Sequence, residues 1–251
     1  MNKISKWIKS YVKRNSIKSL IIGVSGGIDS AVVSTLCCQT GIETYIVSMP
    51  ILQKADQLKR ARDHSKWLTE NYKNASFIEI DLTETFKNFS LLFSNEFKND
   101  LSLANTRSRL RMVTLYQISG TKGGIVVGTG NKVEDFGVGF FTKYGDGGVD
   151  ISPIADLTKT EVRKLAKELG VSDAILEAKP TDGLWEDERT DEDQIGASYE
   201  ELEWAMNFSK DLSSLSDRQI EVLSIYGKFN KMNRHKMKKI PVFKNIKNEK
   251  L

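Results

Sequence analysis

The chain has 251 residues, 39% of them apolar and 28% charged, and carries a formal net charge of +4. That length buries a sizeable core and suits a single doubly wound α/β domain over residues 1–251, and no apolar run approaches the ~18 residues a membrane span needs. Two histidines and the adjacent pair Cys37 and Cys38 offer neither a structural zinc site nor a well-placed disulfide, and the charged N-terminus does not read as a signal peptide, so a reduced, cytoplasmic setting is expected.

Ile4, Trp7, Ile8, Tyr11 and Val12 recur at helical spacing and predict an amphipathic N-terminal helix. Residues 20–24 are short, aliphatic and bounded by turn residues, as befits a strand covered on both faces. The turn Ser25, Gly26, Gly27, Ile28, Asp29, Ser30 comes next, then a predicted helix over 31–38. Strand, Gly-rich turn and helix aim unpaired N–H groups at one point, where the helix dipole adds partial positive charge. That point is an anion site. Its spacing is neither that of the phosphate loop with Gly-Lys-Ser/Thr nor G-x-G-x-x-G. It is S-G-G-x-D-S, the pyrophosphate loop of enzymes that split ATP into AMP and pyrophosphate. Small residues let backbone and hydroxyls wrap a pyrophosphate, whereas Asp29 reaches it only through a cation, so magnesium is implied. A lone double glycine would merely make a turn; the complete hexapeptide between strand and helix says more.

Further along, "TYIVSMP" (44–50) predicts a second strand, 54–70 a helix, "ASFIEID" (75–81) a third strand, and "GGIVVGTGN" (123–131) contains a fourth. Strands separated by helices imply a parallel sheet, with ligands at the carboxyl ends of the strands. The loops at 23–30 and from Gly128 onward then face one crevice. Residues 129–153 carry six glycines without a regular pattern and read as a functional loop. Thr158 and Glu161 form a capping box that opens a helix ending near Gly170. Residues 179–196 are polar and irregular, a candidate lid, and two helices are expected near 198–209 and 216–229. Residues 185–193 are acidic, and the basic stretch at 228–250 is read from composition as solvated charge, in preference to nucleic-acid contact or a phosphate clamp.

Together, "GVSGGIDS", "NTRSRLRM" (105–112), "VVGTGNKVED" (126–135), "FFTKYGDGGVDISPI" (140–154), "LTKTEV", "KPTDGLW" (179–185), "DEDQIG" (191–196) and "HK" (235, 236) resemble, in order, the ammonia-dependent NAD synthetase family. The resemblance implies a Rossmann-like, adenine nucleotide α-hydrolase-like fold, and a homodimer whose interface helps form the dinucleotide site. It implies the last step of NAD biosynthesis: ATP adenylates the carboxylate of deamido-NAD, and ammonia displaces AMP. No nucleic-acid or membrane partner is expected.

By this resemblance Gly23, Val24, Ser25, Gly26, Gly27, Ile28, Asp29 and Ser30 bind ATP, with Thr129, Lys159 and Thr181 as further ATP contacts. Asp29 and Glu134 share magnesium. Arg109, Lys143, Asp150, His235 and Lys236 map to deamido-NAD, and Asp146 orients or deprotonates the incoming ammonium. Each has a plainer reading: Glu134 and Lys159 as solvated charges, the threonines as caps, Gly-Asp-Gly as a turn. Arg107, Arg109 and Arg111 alternate on a predicted helix and cannot all face one ligand; the resemblance selects Arg109. Between Glu134 and Lys143 the loop is one residue longer than in some relatives, which bears on the register of Glu134. Neither cysteine is placed as a nucleophile for glutamine hydrolysis, so free ammonia is the expected donor. The competing readings are another ATP pyrophosphatase acting on a nucleotide or transfer RNA, and a non-catalytic adenine-nucleotide sensor on the same fold.

Overall fold

The computed structural model describes residues 2–181, 190–209, 213 and 215–243. Asn2 accepts from the Ile4 N–H and starts α1 (Lys3–Arg14), which buries Ser5, Ile8 and Val12. Strand β1 (Ser19–Gly23) runs into α2 (Ile28–Cys38), a helix buried on nearly every side. β2 (Glu43–Ser48), α3 (Ala55–Asn71) and β3 (Ala75–Glu79) repeat the unit, and α4 (Thr83–Leu91) and the long α5 (Asp100–Lys122) lead to β4 (Gly124–Val126).

The strands are parallel and ordered β3-β2-β1-β4. Alternation along β1 sends Leu20 and Ile22 into a core with Ile8, Val32 and Leu36, and Ile21 into a second core with Val47 and Phe86. Both faces are covered, which is the doubly wound arrangement. From β1 the chain builds outward to β2 and β3, whereas β4 joins on the other side. The switch point therefore lies between β1 and β4, with a crevice outside their carboxyl ends.

The remaining elements are α6 (Lys159–Glu168), α7 (Asp173–Leu176), α8 (Asp191–Ile195), α9 (Tyr199–Asn207) and α10 (Asp217–Met237). Thr158 and Glu161 form the expected capping box. Val133, Val138, Ile195, Tyr199, Leu202 and Val222 make a smaller core beyond the end of the sheet.

Four departures from the sequence reading bear on the site. α2 begins at Ile28, so Asp29 and Ser30 lie in its first turn. β4 spans only three residues, extended by a parallel bridge from Val127 to Ile151. The glycine-rich segment contains a π-turn, Val133–Val138, whose wider winding absorbs one extra residue. The last helix runs to Met237, not 229, because its final turns find partners on the loop below, so much of the basic stretch is helical. Of the candidate lid, residues 182–189 lie outside the described residues, and so does the tail from 244. Among the described residues no helix is long and apolar enough to cross a membrane, and Cys37 and Cys38 are buried, free thiols.

Candidate active site

The pairing of β1 with β2 continues one residue into the signature turn, where the Val24 N–H donates to Val47 O. Gly26 then adopts φ +84°, and a Cβ there would stand 2.4 Å from Gln57 O, so glycine is required twice over. The two serines brace the turn from within. Ser30 Oγ donates to Gly27 O (2.9 Å) and accepts the Ser25 N–H (3.3 Å), while Ser25 Oγ accepts the Gly27 N–H (3.2 Å). The first turn of α2 thus opens into a cleft of about 560 Å³ at the carboxyl ends of β1 and β2 and the loop after β4. Its N–H groups and dipole favour an anion there.

Facing that helix end is a buried charge cluster. Lys159 Nζ lies 2.5 Å from Asp29 Oδ2 and 3.1 Å from Glu134 Oε1, with only 3% of its side chain exposed. The Tyr199 hydroxyl donates to Glu134 Oε1 (2.6 Å), with Asp191 Oδ2 at 3.2 Å as a second acceptor. Fully buried Asn131 joins the two carboxylates: Nδ2 donates to Asp29 Oδ1 (3.3 Å), and Oδ1 accepts the Val133 and Glu134 N–H groups (3.0 and 3.1 Å). The π-turn carries Glu134 and presents its carboxylate to Lys159.

Burial raises the Asp29 carboxyl, against the opposing pull of Lys159. Burial also acts on Glu134, but Lys159, Tyr199 and Asn131 outweigh it and hold that carboxyl below its usual value. Burial alone would lower Lys159; Asp29 and Glu134 overcome it and keep the ammonium charged. Asp135 is pushed up to about 8 by burial and by Glu134, Asp146 and Asp29.

Two hard oxygen donors from different strand ends, converging on one cation, fit magnesium, which takes one or two carboxylates and leaves its other positions to phosphates and water. Among the described residues no three acidic, His or Cys side chains form a closed metal site. A ligand would have to complete the shell.

Asp146 lines the same cleft. Its Oδ1 accepts Ser108 Oγ (2.7 Å) and the Thr142 N–H (3.0 Å), and burial raises its carboxyl despite these bonds. Lys236 lines the same cleft and donates to Phe141 O (2.8 Å); burial lowers its ammonium, opposed by Asp146. Thr129 and Thr181 also line it. Arg109, Lys143, Asp150 and His235 do not. Arg109 leans toward Lys143 O (3.4 Å), and Lys143 Nζ donates to His235 O (3.1 Å). Asp150 ties β4 to α5 by accepting the Val126 N–H (2.7 Å) and the Tyr116 hydroxyl (3.1 Å). On α5 the arginine that reaches the cleft is Arg111, which donates to Met49 O and Gln53 Oε1, both at 3.0 Å. Sequence reasoning weighed Arg111 but chose Arg109, and it did not single out Asn131, Asp135 or Tyr199.

A sequence model of NAD synthase matches residues 1–240. The chain belongs to the NAD synthase family. An NH(3)-dependent NAD(+) synthetase from Finegoldia magna is 39% identical over 233 residues, 91% of this chain and 92% of the relative. Among solved structures, the NMN synthetase of Francisella tularensis superposes with a TM-score of 0.86 at 30% identity, covering 97% of this chain and 96% of that one. The NH3-dependent NAD synthetase of Campylobacter jejuni gives 0.77 at 27% identity, covering 96% of each. The NAD synthases share this parallel sheet, so family and fold agree.

Proposed function

We propose that the chain, acting as one NAD synthetase domain in the cytoplasm, uses ATP and ammonia to convert deamido-NAD to NAD. A nicotinate carboxylate oxygen attacks the α-phosphorus of ATP, and the bond to the β-phosphate breaks to release pyrophosphate. Ammonia then attacks the acyl carbon of the adenylate; the bond to AMP breaks and the nitrogen loses a proton. Such transfers between anions need positioning and charge neutralisation more than a protein nucleophile.

In this reading the loop from Gly23 to Ser30 and the N-terminus of α2 cradle the phosphates, with Lys159, Thr129 and Thr181 beside them. Asp29 and Glu134 would hold magnesium, which supplies charge neutralisation at the phosphate oxygens. Asp146, raised by burial, is the group placed to orient ammonium or accept its proton. The single observation carrying this reading is that Asp29, on the signature turn, and Glu134, beyond β4, meet the same Lys159 ammonium. Incubation with magnesium, ATP, ammonium and deamido-NAD should yield AMP and NAD in equal amounts, and glutamine in place of ammonium should yield none. AMP without NAD, or no turnover at all, would overturn it.

The chain is further read as a homodimer. Leu91 and Leu92, each 76% exposed, lie with Phe97 (69%) and Leu101 (62%) on α4, the following 3-10 turn Asn95–Phe97 and the start of α5. An exposed apolar patch of this kind suits a second copy of the chain. Arg109 lies on the same helix, outside the cleft of its own chain.

A second reading has the mononucleotide acid as substrate, with NMN as product. It is favoured by the likeness to the Francisella enzyme and by the four dinucleotide candidates that do not line the cleft. Measuring kcat/KM for both acids side by side separates the two.

A further inference from the structure

The last turns of α10 present a row of donors three residues apart, on one helix face. Asn230 Nδ2 donates to Gly137 O, Asn233 Nδ2 to Val138 O and Lys236 Nζ to Phe141 O, each at 2.8 Å. The first two acceptors are the closing carbonyls of the π-turn that carries Glu134. Terminal carbonyls of a helical turn have no partner within it, and leaving them unpaired in a buried setting is costly. Gly137 and Val138 are both buried. Gly139 shows how closely α10 approaches: its φ is +63°, and a Cβ there would stand 2.5 Å from Asn233 Cβ. Glu134 is thus held from three directions. Asn131 fixes its N–H, Lys159 and Tyr199 fix its carboxylate, and α10 fixes the far end of its turn.

We propose that Asn230 and Asn233 are positioning residues for Glu134: by holding the Gly137 and Val138 carbonyls they set where that carboxylate faces Asp29, and so set the divalent-cation requirement of the enzyme. This rests on the reading of Glu134 as a magnesium ligand. α10 then joins the glycine-rich loop, gripped where Lys236 donates to Phe141 O, to the cation end of the cleft.

The test compares Asn230→Ala, Asn233→Ala, Asn233→Ser (which keeps a donor) and Glu134→Ala with the wild type in full-length protein. Three quantities are read: the magnesium concentration for half-maximal AMP formation, Mn2+ affinity in the presence of ATP by electron paramagnetic resonance, and Tm. Loss of one hydrogen bond should raise the magnesium requirement and weaken Mn2+ binding by about five- to tenfold, with turnover restored by excess magnesium and partly by Ser at 233. Adding Asn233→Ala to Glu134→Ala should change neither quantity further. A lowered Tm with an unchanged cation requirement would make the two asparagines simple helix-to-loop ties and overturn the proposal while leaving Glu134 in its role. An unchanged requirement in Glu134→Ala would instead refute the role of Glu134, and with it the proposal.

Discussion

The Lys159 ammonium lies 4.7 Å from the ring centroid of Tyr199, and the hydroxyl of that ring donates to Glu134, the carboxylate Lys159 also holds. Lys159 opens α6, which packs on the main core, whereas Tyr199 belongs to the smaller core with Val133 and Val138. The charge cluster is the seam between them. A lysine at the first position of a helix opposes the helix dipole, and a nearly buried one also gives up its hydration. Two carboxylates offset both costs.

Lys159→Met should therefore leave Asp29 and Glu134 facing each other with no cation, destabilising the chain by about 3–5 kcal/mol, the usual cost of breaking a buried ion pair. Magnesium should reverse part of that loss by binding the folded state alone. Thermal unfolding with and without magnesium checks this: the Tm of the variant should rise more than that of the wild type, and equal shifts would show that the two carboxylates do not form one cation site.

Replacing either carboxylate addresses the chemistry. Asp29→Ala or Glu134→Ala should remove electrostatic stabilisation on the order of 3 kcal/mol, a loss of ~100-fold or more in rate. Assays at limiting magnesium are the sensitive ones, and near-normal turnover in Glu134→Ala there would exclude its role.

Much of this site was legible in the sequence where the signal is local. The hexapeptide at 25–30 carries its own turn, cap and acid, and the Thr158 capping box marks the start of α6 in the same way. Periodicity said that the three arginines of α5 diverge but not which one meets the core or the cleft, because the phase of a helix is set by what it packs against; Arg107 is buried over the Phe86 ring and Arg111 lines the cleft. Asp150, mapped to deamido-NAD by the resemblance, accepts within the chain from Val126 and Tyr116, contacts made over 24 and 34 residues that no local pattern announces. Tyr199 had no local mark, since it meets Glu134 over 65 residues, and the bond by which Asn131 reaches Asp29 spans 102, although its contacts to the Val133 and Glu134 N–H groups are local.

His64 gives the fold a pH dependence of its own. Its Nε2 lies 3.0 Å from Ser34 Oγ, its ring stacks on Trp67, and burial lowers its pKa to about 4. The unfolded chain, with an ordinary imidazole near 6.5, then binds more protons between about pH 4 and 6.5, so stability rises with pH across that window and is lost as pH falls. Between pH 7 and pH 5 this one group should cost about 2 kcal/mol. Urea unfolding at both values should show that excess loss in the wild type over His64→Gln; equal losses would assign the acid sensitivity elsewhere.

The apolar patch on α4 and α5 predicts an assembly. Leu92→Asp and Phe97→Asp place a charge where Leu91, Leu92, Phe97 and Leu101 are exposed in the single chain. If a second copy covers them, light scattering should report a dimer for the wild type and a monomer for the variants at the same concentration. A monomeric wild type, or variants that remain dimeric, would remove the patch from the interface.

His235 and Lys236 are neighbours in sequence that the structure places on different sides of the cleft wall. Lys236 faces the cleft, donates to Phe141 O and feels Asp146, whereas His235 lies outside the cleft and its carbonyl receives Lys143 Nζ. Removing the tail after Lys231 would also delete Asn233, and so would mix loss of a ligand contact with loosening of the π-turn. Single substitutions separate the two. If Lys236 binds an anionic group of the dinucleotide, Lys236→Ala should weaken deamido-NAD binding by about 1–3 kcal/mol, the range for a charge-assisted hydrogen bond, and leave ATP affinity unchanged. His235→Ala should weaken it as much only if a second chain brings His235 to the ligand, because within one chain it does not reach the cleft. Calorimetric titration of both ligands into both variants, at concentrations above and below dimer dissociation, reads this directly. An effect of His235→Ala that persists in the monomer would mean that the loop rearranges within a single chain, and unchanged affinity in Lys236→Ala would leave that lysine as a tie between α10 and Phe141.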